Sequence, residues 1–189
     1  MRLLDRLKVT LVNPTWEQSV ESEPLIGFSY YLSARTNALL HIGDEILDHL
    51  DQGFADKLVS SERIARAGTL MWLWTLGAYE VVRTMCQARS CFSERVNSDL
   101  MQLKKSLAKV RMPDAKMEKP GKKLPVTSDR SPDGWDVPNR ELLIGDPEEE
   151  NPTSARALIA EFDKVMSSIT KDDVICRHED GYPKRADLT

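Results

Sequence analysis

Apolar residues recur along the first half of the chain at intervals of three and four, the spacing that lays side chains on one face of an α-helix. At ~100° per residue, Phe28, Leu32, Leu39, Ile42, Ile46 and Leu50 fall in one stripe, and Tyr31, Ala38, Leu40, Gly43 and Leu47 widen it to about half the circumference. An arc that wide contacts two neighbours. Ser22, Glu23 and Pro24 supply a cap, an early acid and a first-turn proline, so the pattern predicts a helix over residues 25–53 with Gly53 as its stop. Ser60, Ser61 and Glu62 restart a second helix over residues 60–89. The two are expected to fold back as a long antiparallel hairpin.

The second helix is apolar nearly all round between Leu70 and Val82, with Trp72, Trp74 and Tyr79 among the large side chains, which predicts an element enclosed by others. Val96, Leu100, Leu103, Leu107 and Val110 then mark a narrower seam on a third helix, which Pro113 should kink or end. Residues 120–152 turn to Pro, Gly, Asp and Glu, with a turn signal at Ser131, Pro132, Asp133 and Gly134 and a short strand at residues 141–145. Thr153 and Ser154 cap a fourth helix with Ala157, Leu158, Phe162, Val165, Met166 and Ile169 on its apolar face, and the tail after Lys171 has only Tyr182 and Pro183 as evident anchors.

The expected fold is therefore mainly all-α: a four-helix bundle-like domain built on a long antiparallel helical hairpin, with a Pro/Gly/acidic insertion able to hold a short β-hairpin. Its parts are a leader (1–22), a three-helix core (23–119), the insertion (120–152), the fourth helix of the same domain (153–170) and a tail (171–189). No internal repeat interrupts this division.

Composition adjusts the picture modestly. The 189 residues are 41% hydrophobic and 30% charged, which suits one globular domain. A net charge of −4 and a pI near 5.5 argue against binding nucleic acid through overall charge. Cys86, Cys91 and Cys176 form no CxxC pair, so reduced, inert thiols and a cytoplasmic location are expected. Asp5, Arg6 and Lys8 interrupt the start, which does not read as a signal peptide, and the longest uncharged stretch, residues 67–79, is thirteen residues, too short to cross a bilayer. No membrane association is expected.

His41, Asp44, Glu45, Asp48 and His49 offer metal-ligand types at spacings of three, four, seven and eight on one helix. With Phe28, Leu39 and Ile46 taken as the inward centre, however, His41, Asp44 and Asp48 project about 160° to 220° away, onto an outer, solvated face. Bundle metal sites draw their ligands inward from several helices, so no metal and no cofactor is expected. Arg35 is the opposite case, interrupting the inward stripe between Leu32 and Leu39 where a lone guanidinium would be costly to bury. Antiparallel pairing places Glu80 and the Trp72 ring across from it, with Arg83 one turn beyond Glu80. Arg35, Glu80 and Arg83 are thus expected to form an ion pair that positions two helices, or to line an anionic-ligand or catalytic pocket.

Arg35 followed at six residues by His41 resembles the Arg-x(4–6)-His motif of HEPN ribonucleases, helical bundles in which these residues meet at a dimer cleft and cut RNA. The match covers those two residues and the general architecture, with Thr36 where that family places Asn, Asp or His. The resemblance implies RNA cleavage with Arg35 and His41 in the cleft.

Lys104, Lys105, Lys109, Arg111, Lys116, Lys119, Lys122 and Lys123 make a basic stretch, offset by an acidic run at Asp146, Glu148, Glu149 and Glu150. It lacks the interleaved aromatics of an RNA-binding surface. Trp135 is expected to anchor the insertion on the bundle. No P-loop, dinucleotide fingerprint or nucleophile elbow is present. The leading expectation is a non-enzymatic interaction or regulatory module acting through protein contacts, as a homo-oligomer or with another chain, because the apolar arcs of helices one and two exceed what two short helices cover. The alternatives are a HEPN-like nuclease or another enzyme acting on a phosphate-bearing substrate through Arg35, His41, Glu80 and Arg83, and a nucleic-acid-binding module using the basic residues from Lys104 to Lys123.

Overall fold

Ser29 decides where the first long helix begins. In the computed structural model of the chain, which describes residues 13–55, 58–119, 121–122, 124–127, 129, 131, 133–145 and 152–181, its backbone is extended and its Oγ accepts a hydrogen bond from the Leu32 amide at 3.3 Å. The helix expected over residues 25–53 is therefore two. A single turn, α2 (Leu25–Phe28), precedes the long α3 (Tyr30–Gly53). Ser22 and Glu23 do not cap α2. Ser22 ends α1 (Trp16–Ser22), a helix within the expected leader that is capped by Thr15 and Gln18, while the Glu23 carboxylate accepts from Ser33 Oγ and Asn37 Nδ2 of α3.

Helix α4 (Ser61–Gln87) runs back along α3, as the hydrophobic pattern predicts. Trp74 Nε1 donates to the Leu39 carbonyl at 2.9 Å, Gly77 lets Leu39 lie close, and Gly53 does the same for Ile64. Gly43 completes this seam, since a Cβ there would stand 3.1 Å from Ile159 Cγ2 and 3.6 Å from Trp74 Nε1. The buried line of α3 is Leu32, Thr36, Leu39, Gly43, Ile46, Leu50 and Gly53, alternating four and three residues apart like a coiled-coil seam.

Helix α5 (Glu94–Lys116) packs on α4 and starts at a Ser93 cap. Pro113 does not end it: it lies buried inside the last turn, and the helix closes at Met117 in a left-handed conformation, φ 52°. Helix α6 (Ala155–Ser167) packs on both α5 and α3 and closes the bundle, with Phe162 meeting Trp74 edge to face at 5.3 Å between centroids.

The insertion forms a three-stranded antiparallel sheet in the order β1 (Asp133–Asp136), β2 (Glu141–Ile144) and β3 (Thr153–Ser154). Trp135 pairs with Leu142 and Asp133 with Ile144. The tight turn lies at residues 137–140, where Asp136 accepts from the Asn139 amide and side chain, while Asp133 and Gly134 of the expected turn belong to β1. Leu142 and Ile144 bury the sheet against the bundle. Ser154 accepts from the Ala157 amide as the α6 cap and donates to Glu141 Oε2 at 2.7 Å, tying sheet to helix.

The tail is anchored well before Tyr182 and Pro183, which lie outside the described residues together with residues 1–12, Pro120, Lys123, Pro132 and the acidic run at 146–150. Val174 bridges Phe92, and Cys176 forms a disulfide with Cys91 with Cα atoms 4.6 Å apart. This corrects the expectation of three reduced thiols, and with it one of the grounds for a cytoplasmic location; Cys86 alone is free. Asp173 secures the same junction, accepting from Ser93 Oγ (2.6 Å), the Thr170 amide (3.0 Å) and hydroxyl (2.8 Å) and Arg95 (2.5 Å). Desolvation pushes its carboxyl pKa up, yet these donors together outweigh it and hold the group well below the usual carboxylate range.

Candidate interaction face

Arg35 is exposed, contrary to the expectation that it interrupts the inward seam. Its Nη2 donates to the Tyr31 hydroxyl at 2.8 Å and its guanidinium lies 4.9 Å from the Tyr31 ring centroid, one turn back on the same helix. The polar residue of the seam is Thr36. Glu80 instead pairs with Arg83 at 2.7 Å and with Arg111 of α5 at 3.7 Å, while Arg111 covers the Tyr79 ring at 4.5 Å. Arg35 and Glu80 thus have different partners.

Six residues of helix separate Arg35 from His41 by about 120° of rotation and ~9 Å of rise, so within one chain they do not share a face. His41, Glu45 and Asp48 are exposed; Asp48 accepts from Gln52 at 2.5 Å, and His49 Nε2 stands 3.8 Å from Glu45 Oε1. Asp44 does not join them on the outer face. It is half-buried and lines a cavity of about 140 Å³ between α3 and α6, beside Leu40, Leu47 and Ile159. Among the described residues, no three His, Cys, Asp or Glu side chains are arranged to hold a metal ion.

The residues of the basic stretch differ in exposure. Lys105 and Lys116 are exposed on α5 and Lys122 beyond it, Lys104 and Lys109 are half-buried, and Arg111 is spent on Tyr79 and Glu80. Lys104 lies near Cys86, whose thiol pKa is pushed up by burial against the opposing pull of that lysine. Trp135 stays 45% exposed on the hairpin.

The sheet brings a second pair of charges together. Asp114 Oδ1 is buried without a hydrogen-bond partner, and its carboxyl is pushed up to about 7, first by desolvation and then by the charge of Asp133 on β1. Asp133 accepts from Ser131 Oγ at 3.0 Å.

A helix face that stays exposed among the described residues lies on α4, which is not enclosed all round. Its inner side is Ile64, Ala67, Met71, Trp74, Ala78, Val82 and Met85, all buried. On the opposite side, within about 120° of arc by helical geometry, stand Glu62, Arg66, Thr69, Trp72, Leu73, Leu76, Glu80 and Arg83. Trp72 and Leu73 are 46% and 50% exposed, Thr69 is exposed and Leu76 half-buried. The α3–α4 register set by Leu39 with Gly77 and Gly53 with Ile64 places Ala38 and half-buried Ile42 alongside, on the flank of α3 turned away from α6. The exposed apolar side chains of α4 thus lie between charges at both ends, with Ala38 and Ile42 on the adjoining flank of α3. Reading the stretch around Leu70 as enclosed misses this face; the four charges at Glu62, Arg66, Glu80 and Arg83 are the signal that marks the outer side, because Trp72 and Leu73 share their arc.

No protein-family model matches the sequence, and no curated protein or solved structure is significantly similar to it. Among the described residues no helix is long and apolar enough to cross a membrane.

Proposed function

We propose that the protein is a non-enzymatic helical interaction module whose outer α4 face, with the adjoining flank of α3, binds a protein. The observation that carries this reading is the pair Trp72 and Leu73, half-exposed side by side in the middle of a helix whose other side is the bundle core. Single exposed apolar residues are ordinary, but a contiguous patch rimmed by charge and holding a tryptophan has the make-up of a contact surface. Burying the outer parts of Trp72, Leu73, Leu76 and Ile42 would supply the affinity, and the flanking charges would set orientation.

The test is a photo-cross-linking amino acid placed at Leu73 in the full chain, expressed in the native cells, with a control at Met101, which is 57% exposed on α5. Irradiation is expected to yield a discrete protein adduct at position 73 and none at 101. Absence of an adduct at 73 above the control would overturn the reading.

A further inference from the structure

The four charged positions on the outer face of α4 read the same in both directions once acid and base are exchanged. From the N-terminal end the face runs Glu62, Arg66, Thr69, Trp72 with Leu73, Leu76, Glu80, Arg83. Laid antiparallel on itself about its middle, Glu62 meets Arg83, Arg66 meets Glu80, Thr69 meets Leu76, and Trp72 meets Leu73. All of these residues lie on one side of the helix, and Glu62, Arg66, Glu80 and Arg83 are all at least partly exposed.

We infer that the partner of this face is a second copy of the chain, docked α4 against α4 in antiparallel register about a two-fold axis that passes by Leu73 at right angles to the helix. This deepens, and rests on, the reading of α4 as an interaction face. A two-fold contact must be self-complementary, since each patch meets its own image. The antiparallel register satisfies that at every charged position: two acid–base contacts at each end, repeated by symmetry, around a centre of Trp72, Leu73 and Leu76, with Thr69 set against Leu76. The parallel register fails, because it sets Glu62 against Glu62 and Arg83 against Arg83, like charges that cost energy on approach.

The charges select register more than they supply affinity. In one chain Glu80 already holds Arg83 at 2.7 Å and Arg111 at 3.7 Å, so docking extends an existing network to Arg66 of the second copy without desolvating a lone charge. The apolar centre supplies the driving force. Ala38 and Ile42 widen the contact onto α3, and α4 itself offers 27 residues, about 40 Å of helix, along which the two copies can meet.

The experiment is sedimentation and light scattering of the full chain across concentration, with three variants. The wild type is expected at twice the 21.4 kDa chain mass, and Leu73→Glu at the single-chain mass with unchanged helical circular dichroism. Arg66→Glu with Arg83→Glu makes the rim wholly acidic, and Glu62→Arg with Glu80→Arg makes it wholly basic. Each is expected to self-associate at least ~100-fold more weakly than wild type, and an equimolar mixture of the two to recover a stable heterodimer. Charge variants that dimerise as well as wild type, or a mixture that stays monomeric, would overturn the register. A wild type monomeric at all concentrations would overturn self-pairing. If position 73 nonetheless cross-links to a different protein in cells, the interaction face stands; if it cross-links to nothing, both readings fall.

Discussion

The carboxylate of Asp133 lies over Gly68 of α4, so close that any side chain at position 68 would overlap its Oδ2. The glycine is therefore a docking notch for the insertion. It lets the first residue of β1 reach the helix backbone, and Ile144, paired with Asp133 across the sheet, is buried against the bundle.

Gly68→Ala should undo that docking selectively. The added methyl favours the helix by about 1 kcal/mol in propensity but displaces Asp133, so global stability should change little while the hairpin loosens. Amide hydrogen exchange is expected to rise at least ~10-fold across residues 133–144 and to stay unchanged in α3. Unchanged protection of the hairpin would show that Asp133 is not held by the notch.

The same approach has a pH consequence through Asp114. Its carboxyl is raised to about 7 from an ordinary value of 3.8, by desolvation and by Asp133, so the folded chain holds this proton more tightly than the unfolded chain. The stabilisation is complete below the unfolded value and is lost as pH rises through the folded one. Denaturant unfolding should therefore show stability falling between about pH 4 and pH 8 by a few kcal/mol at most, and Asp114→Asn should flatten that slope. A wild-type profile parallel to that of the Asn variant would refute the assignment. Asp173 works in the opposite sense. Its lowered value contributes stability above the ordinary carboxylate range, lost only in acid, so the two effects separate along the pH axis.

How far such features were legible in the chain depends on how local their causes are. The helical hairpin, the Gly53 stop, the Ser154 cap and the Leu142 to Ile144 strand follow from neighbours within a few residues, and the structure contains each of them. The position of Arg35 failed for an identifiable reason. Arg35 and Thr36 lie on opposite flanks of Leu39, and the apolar pattern does not say which flank is covered: the buried line of α3 runs through Thr36 and Gly43, and Ile159 of α6 packs against Gly43. Arg35 is on the other flank. Cys91 and Cys176 lie 85 residues apart, and only the packing of the tail against the α4–α5 turn brings them together. The outer face of α4 was hidden by apolar content, since an exposed Leu73 and a buried Trp74 look alike until the flanking charges are mapped on the helix.

The disulfide should be among the larger single contributions to stability. Closing a loop of 85 residues restricts the unfolded chain by ~4 to 5 kcal/mol in the chain-entropy model. For a protein of this size, that corresponds to a Tm lowered by ~10 to 20 °C on reduction by a dithiol, or in Cys176→Ser. Calorimetry with and without reductant checks it. Cys86→Ser, at the free thiol, should leave the reductant effect intact; a Tm indifferent to reductant would mean that the bond does not form in solution.

Exchanging the roles expected of Arg35 and Thr36 gives the sharpest test of the α3 seam. An arginine buried between Leu32 and Leu39 would make Arg35→Ala severely destabilising, by ~3 to 5 kcal/mol if it left a paired acid stranded. With Arg35 exposed and bonded only to Tyr31, its removal should stay within about 0.5 kcal/mol. Among the described residues, Thr36 and Thr75 are buried with Oγ1 atoms that have no hydrogen-bond partner. Thr36→Val keeps the branched shape and removes the stranded hydroxyl, so it should stabilise the fold by about 1 kcal/mol, and Thr75→Val by a similar amount. Urea titrations of the three variants decide the matter. A large loss in Arg35→Ala together with a loss in Thr36→Val would rotate α3 back to the orientation in which Arg35 faces inward.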